Sequence, residues 1–475
     1  MKTISITLLS LIFLISLCCT GALSTMEDTP VINVSLTQAW QKVVAENDSL
    51  TAARENIMEA KYKQEAAKDL YYPEIGLSAA YVYLDDDVTL SPEDILESMP
   101  AGSQLAPLLQ GLPPSALHGG LTSTIAERQN FSSSLQARWP IYAGGRIDAA
   151  QDIAAAKHKE AGWQFTTQVQ TNFQTLIRYY FGAILAKQVL DTRIDVETGL
   201  KEHWDHAVLL EEQGQIAKVE RMQSEASYDK AKVERRKAER DLEIARAALT
   251  RMLKNETTTI PGDTLFINTN LPSLQSFIEK TLTTYPGLGI LESKKEQATG
   301  LITVEKGKYF PSVAVFGNYN IYEEDNLATK LVPDWFVGVG LKIPLLERSG
   351  RSGKVNAAKS MVRRINAMQI QARSDLSLLV EKTYRQAQQA LEEYNGLGSS
   401  LKLAKETVNL RSKAFSQGLS TSLDVVDAEM FLAGVKTQRA VAVFNYDTAL
   451  AQLLAVSGEL EKFFQYQHTE AIEVE

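Results

Sequence analysis

The chain has almost no cysteine. Cys18 and Cys19 stand side by side near the start of 475 residues, so the rest has neither a disulfide staple nor thiol chemistry. Histidine is scarce too, at five residues. No HExxH, GxSxG or phosphate-loop pattern occurs, so the expectation is a protein that is not an enzyme and holds no cofactor. A concentrated basic face is also missing. The formal net charge of −9 argues against nucleic acid as a partner, since a phosphate backbone calls for clustered cations. Beyond residue 24, no stretch approaches the roughly 18 uninterrupted apolar residues of a spanning helix. If the chain crosses a membrane, it must do so with strands.

The opening MKTISITLLSLIFLISLCCTGALS has a short basic start, an apolar run from Ile4 to Leu17, and then small residues. This is the pattern of a secretory signal over 1–24, cut after Ala22 or Ser24. A lipoprotein cut would leave a cysteine at the new N-terminus, but Leu17 and Cys18 are poor residues to precede it. The mature chain is expected to be exported. With 44% hydrophobic and 23% charged residues it has the composition of a folded protein.

The chain repeats itself. Ser35 aligned on Ser273 runs without a gap to Pro73 opposite Pro311, at an offset of 238. Pro140 and Gly214 match Pro344 and Gly418 at an offset of 204, so the first copy carries 34 extra residues. Repeat 1 is expected over 35–272 and repeat 2 over 273–458, with an acidic tail 459–475 whose end, TEAIEVE, reads as disordered. Within each copy the hydrophobic period changes. It is two around 73–84, 130–141, 311–322 and 334–345, which predicts four amphipathic strands. It follows a 3-4 spacing in Val355, Ala358, Val362, Ile365, Gln369, Ala372, Leu376 and Leu379, and in Ala238, Leu242, Ala245, Leu249 and Met252. Those stripes predict long packed helices over 147–254 and 352–458. A proline-free run from Ile147 to Gln213 would alone make a helix about 100 Å long.

The phrases PIYAGGR (Pro140, Gly144, Gly145, Arg146) and PLLERSGR (Pro344, Gly350, Arg351) mark where a strand gives way to a long helix. Proline is tolerated at a strand end, and glycine permits a sharp change of direction. Gly214 and Gly418 break the helices and predict hairpin tips. Four strands cannot close a barrel with a lumen, so copies of the chain must combine if there is a pore.

Taken together, the gap-free duplication, the Tyr-aromatic-Pro triplets Tyr71–Pro73 and Tyr309–Pro311, the Pro…Gly-Arg junctions and the phrase GLSTSLDVVDAEMFLAGVKTQ resemble the TolC-like outer-membrane efflux proteins, the outer membrane factors. The resemblance covers nearly all of the mature chain. It implies an α+β membrane protein: a homotrimer whose copies share a twelve-stranded outer-membrane β-barrel, continuous with a periplasmic α-helical barrel. The implied function is the exit duct of a tripartite efflux pump or of type I secretion. The implied partners are a periplasmic adaptor, an inner-membrane transporter of RND or ABC type, and outer-membrane lipid.

The resemblance also places a narrowing ring of aspartates at Asp424 and Asp427, which lie three apart on one helical face, with Glu220 as the acid of the first copy. Crowded carboxylates would resist ionisation and attract cations. The family often has tyrosine and arginine where this chain has Phe415 and Ser420, so its Tyr/Arg lock is not carried over, and Arg221 is a local substitute. Leu423, Val426, Met430 and Ala433 would pack on neighbouring helices. Gly214, Gln215, Gly418 and Leu419, together with the rest of 215–220 and 419–423, are expected to meet the adaptor. EHWDH at 202–206 offers a metal-like spacing, but no third or fourth ligand converges on it, so His203 and His206 read as solvated. The insert 85–129 reads as an extracellular lid with a short helix capped by SPED, as a plug, or as a contact with an outer partner. A non-conducting coiled-coil envelope protein would account for the helices but not for the strands.

Overall fold

The computed structural model describes residues 31–99, 103, 106–111, 113, 115, 123–324, 329, 332–346, 348–469 and 472–473. The signal segment 1–24 and parts of the insert lie outside the described residues. The first repeat opens with strand β1 (Val31–Val34), helix α1 (Leu36–Glu46) capped by Ser35, and helix α2 (Asp48–Lys68). Strand β2 (Glu74–Tyr83) follows, then the insert: β3 (Val88–Leu90), α3 (Pro92–Ser98), α4 (Ala106–Gln110) and β4 (Ser123–Ala126). Ser91 and Asp94 cap α3 reciprocally, as SPED suggests. Strand β5 (Gln129–Tyr142) leads into α5 (Arg146–Glu212), and α6 (Lys218–Met252) returns.

Two short strands, β6 (Thr258–Pro261) and β7 (Phe266–Ile267), separate the repeats. The second copy has α7 (Leu274–Thr284) capped by Ser273, α8 (Pro286–Gly307), β8 (Ser312–Glu323), β9 (Trp335–Lys342), α9 (Arg351–Ser416) and α10 (Ser422–Val456). The duplication extends to lengths. Helices α1 and α7 have 11 residues each, α6 and α10 have 35 each, and α5 and α9 have 67 and 66. The end of the tail departs from expectation: β10 (Ile472–Glu473), within TEAIEVE, pairs antiparallel with β7. Before it, helix α11 (Glu461–Thr469) buries Phe463 and Phe464 in the main core.

Strands β2, β5, β8 and β9 form one antiparallel sheet in that order. Its register aligns the apolar residues across all four strands. Leu77 faces Leu135, Leu135 faces Tyr319 and Tyr319 faces Trp335; Val315 stands between Trp139 and Val339. The other face aligns Gly76, Gln136, Asn318 and Phe336, with Ser78, Ser134 and Asn320 beside them. Among the described residues no element covers the apolar face: Leu77, Val337 and Val339 are 69%, 69% and 71% exposed. The outer edges of β2 and β9 are unpaired in the sheet. Among the described residues no helix is long and apolar enough to cross a membrane.

The helices form a layer. Near the tips α6, α5, α10 and α9 lie side by side; near the sheet the order is α2, α5, α8 and α9. Packed against the middle is the main core, where Phe173 meets Trp40, Phe463 and Phe464 at ring distances of 5.2, 5.7 and 6.0 Å. Tyr180 donates to Val34 O at 2.8 Å and to the Asp263 carboxylate, tying α5 to the strands between the repeats.

The two strand–helix junctions differ in detail. Pro140 lies inside β5, at a register irregularity before Tyr142, whereas β9 ends at Lys342 and leaves Pro344 outside the ladder. Each arginine folds back: Arg146 Nε donates to Ala143 O at 2.8 Å, and Arg351 Nη1 to Pro344 O at 3.1 Å, with Arg351 over the Tyr309 ring. Gly144, Gly145 and Gly350 all have φ between +65° and +75°. A Cβ on Gly144 would also fall 2.5 Å from Gly307 O, whereas one on Gly145 would meet nothing within 4 Å. Gly145→Ala should therefore cost about 1–2 kcal/mol from backbone strain alone, and Gly144→Ala clearly more. Thermal unfolding of the purified variants would check the order, and equal losses would contradict the close approach of the junction to α8.

Candidate functional site: the helical tips

Both long hairpins turn at a left-handed glycine, Gly214 at φ +71° and Gly418 at φ +73°. Gly214 N–H donates to Glu211 O and Gln215 N–H to Leu210 O, both at 2.8 Å; Gly418 and Leu419 donate to Phe415 O and Ala414 O at 2.9 and 2.8 Å. This Schellman pattern satisfies the last carbonyls of each descending helix. Gly214, Gln215, Gly418 and Leu419 are all exposed, Leu419 by 76%.

The start of α10 is held by a capping box. Asp424 Oδ2 accepts from Thr421 N–H at 2.9 Å, Thr421 Oγ1 at 2.8 Å and Ser420 Oγ at 3.0 Å, with Arg411 3.6 Å from its other oxygen. The Thr421 backbone N–H, then the two hydroxyls, hold the carboxyl down at about 2. Within one chain, fixed donors favour the charged form of Asp424. Ser420 is one of those donors, so it supports the acid. Asp427, one turn on, is exposed.

Phe415 requires a correction. It is only 2% exposed, packed with Ala207 and Val425, and its ring lies 4.3 Å from that of His203; a side chain so enclosed cannot line a passage. The EHWDH histidines also divide. His206 is exposed, but His203 is buried, with Nε2 2.7 Å from Ser422 Oγ. Burial, and then His206, push the His203 imidazole down to about 4, so it is neutral at ordinary pH. Its place on the stripe Val196, Leu200, His203, Ala207 was the sequence signal for burial. Among the described residues, no group of three metal-binding side chains occurs.

Ser422 joins both copies of the repeat. Its hydroxyl meets His203 of α5, and its backbone N–H donates to Glu220 Oε2 of α6 at 2.8 Å. Glu220, partly exposed, thus has one carboxylate oxygen bonded to the second copy, while Arg221 pairs with Glu211 at 2.6 Å and with Glu225. Val426 and Ala433 pack against Val196, Leu200 and Ala231, but Leu423 and Met430 face outward. Ser422→Ala would leave a buried imidazole nitrogen without its partner, at a cost of about 1–3 kcal/mol. A lower unfolding midpoint with unchanged helix content is expected; an unchanged midpoint would mean that the bond contributes nothing net.

Comparison with known proteins agrees with this architecture. The family profile described as "Outer membrane efflux protein" matches residues 39–254 and 278–459, one span in each repeat. Nodulation protein T of Rhizobium leguminosarum bv. trifolii is 25% identical over 185 residues, covering 36% of this chain and 38% of that protein. The fold resembles the CmeC outer membrane channel of Campylobacter jejuni, with a TM-score of 0.69 at 14% identity over 95% of this chain and 94% of that one. The outer membrane protein VceC of Vibrio cholerae gives a TM-score of 0.68 at 13% identity, over 90% and 96%. With both repeats matched by the profile, the chain belongs to the outer membrane efflux protein family.

Proposed function

We propose that three copies of this chain close a barrel in the outer membrane and a helical tunnel in the periplasm, and that the assembly is the exit duct of a tripartite pump or type I secretion system. The observation that carries this is the sheet: one continuous apolar face with nothing over it, a polar face behind, and two open edges. A lipid-facing band and a polar lumen call for that alternation, and backbone groups at open edges cannot be left unpaired in hydrocarbon. Further copies of the same sheet satisfy both needs. The insert lies at the sheet end away from the helices, and so would face the cell exterior. A non-conducting coiled-coil protein leaves the apolar face without a purpose.

In this reading the tips form the periplasmic end, and Asp424 and Asp427 surround its narrowest part. Three chains would bring six carboxylates together and favour cations. The exposed tip residues Gln215 and Leu419 would meet a periplasmic adaptor, which couples the duct to an inner-membrane transporter of RND or ABC type.

The test is conductance in planar bilayers. The wild type should give cation-selective steps, and Asp424→Ala/Asp427→Ala should give larger, less selective ones. Because Asp424 also caps α10, Asp427→Asn alone is the cleaner probe of charge, and a smaller change of the same sign is expected from it. Steps that neither variant alters would remove the aspartate ring and keep the duct. No steps from any of the proteins would count against the duct itself.

A further inference from the structure

Along the boundary between α5 and α10 the two repeats are joined by polar contacts about two turns apart. Nearest the tip, His203 meets Ser422 at 2.7 Å; furthest from it, Lys436 pairs with Asp195 at 2.7 Å. Between them Glu429 of α10 lies over Gly199 of α5, so close that a Cβ on Gly199 would fall 2.7 Å from Glu429 Oε1. The flanking contacts are satisfied, and the middle one is not. Among the described residues Glu429 accepts no hydrogen bond and makes no ion pair, although it is only half-exposed.

The surrounding charges do little to compensate. From α5, Asp195 and Glu202 act on Glu429 with the same sign; from α10 itself, Lys436 is the nearest cation, and it is engaged by Asp195. From α9, Lys405 lines the same groove as Lys436, and from α6, Lys230 and Glu234 line the groove that runs to Met430. Burial first, with the two acids adding to it and Lys436 opposing, pushes the Glu429 carboxyl up to about 6. A carboxyl raised above its unfolded value binds its proton more tightly while the boundary is closed. Closure is therefore favoured at low pH and weakened as pH rises through about 6.

We infer that Glu429 over Gly199 is a proton-responsive joint between the two repeats, which lets α10 and its aspartates draw away from α5 when the carboxylate is charged. This rests on the duct reading for its consequence in transport, but the joint itself is a property of one chain. Protonation removes the charge and lets the carboxyl remain against Gly199. Ionisation favours moving it towards water, and α10 moves with it.

Two measurements on the full-length purified protein test this separately from the duct. In the first, cysteines introduced at the exposed positions Leu209 of α5 and Leu423 of α10, on the tip side of the joint, carry spin labels. The mature part of the chain has no cysteine of its own to interfere. The distance between the labels should lengthen between pH 5 and 7.5 in the otherwise native chain, and stay at its low-pH value in Glu429→Gln. In the second, bilayer conductance should rise over the same interval in the wild type and stay flat in Glu429→Gln. A label distance that does not respond to pH in the wild type, or that responds equally in Glu429→Gln, would overturn the joint whatever the bilayer shows. A label response confined to the wild type would support the joint even if no conductance were found, and only the duct reading would then fall.

Discussion

An antiparallel sheet with one bare apolar face and two open edges sets the conditions for everything else in this protein. Four strands supply hydrogen bonds to three interfaces and leave the outer sides of β2 and β9 without partners. In water, such a sheet would be an aggregation surface; in lipid, its edges would be intolerable. The helical layer has the same character at its margins, with α9 at one side and α2 and α6 at the other. Both the sheet and the helical layer thus end in open margins, and α5 and α9 run without interruption from the sheet to the tips.

The sequence reveals this plan because the plan is periodic. The alternation in Ile75, Leu77, Ala79, Tyr81 and the 3-4 stripe from Val355 to Leu379 are each enforced along many residues, so single exceptions do not hide them. The hairpin glycines are legible for a different reason: Gly214 and Gly418 stand where only a left-handed residue can end the helix. What the sequence hides lies between the repeats and at the two ends of the chain. Strands β1, β6, β7 and β10 have two to four residues each, too short to show a period. Tail helix α11 is hidden by the acidic residues around it, though Phe463 and Phe464 decide its fate.

At the tips the sequence identifies positions but not roles. Asp424 falls where a charged ring is expected, and the same carboxylate turns out to be a capping group; a Thr-x-x-Asp spacing is the sign of a cap. Phe415 lies where a polar residue would face a passage, and being aromatic it turns into the core beside His203. Glu220 and Ser422 are 202 residues apart, and nothing local could pair them. These features have one origin: the resemblance assigns positions by alignment, whereas the role of a side chain depends on what its neighbours leave unsatisfied.

The duplication also explains where asymmetry is concentrated. Two copies of a hairpin packed side by side would, if identical, have no preferred way to move relative to each other. Here the α5–α10 boundary carries an imidazole, a bare carboxyl and an ion pair, while the main core beside the middle of the helices is aromatic and closed. Asp447 is the instructive exception in that core. It is fully buried, its carboxyl is pushed well up by burial, and Phe266 N–H donates to it at 3.3 Å. Buried beneath β7, this carboxyl anchors α10 at the end away from its tip, whereas the polar contacts of the α5–α10 boundary lie towards the tip, the part of the helix that carries Asp424 and Asp427.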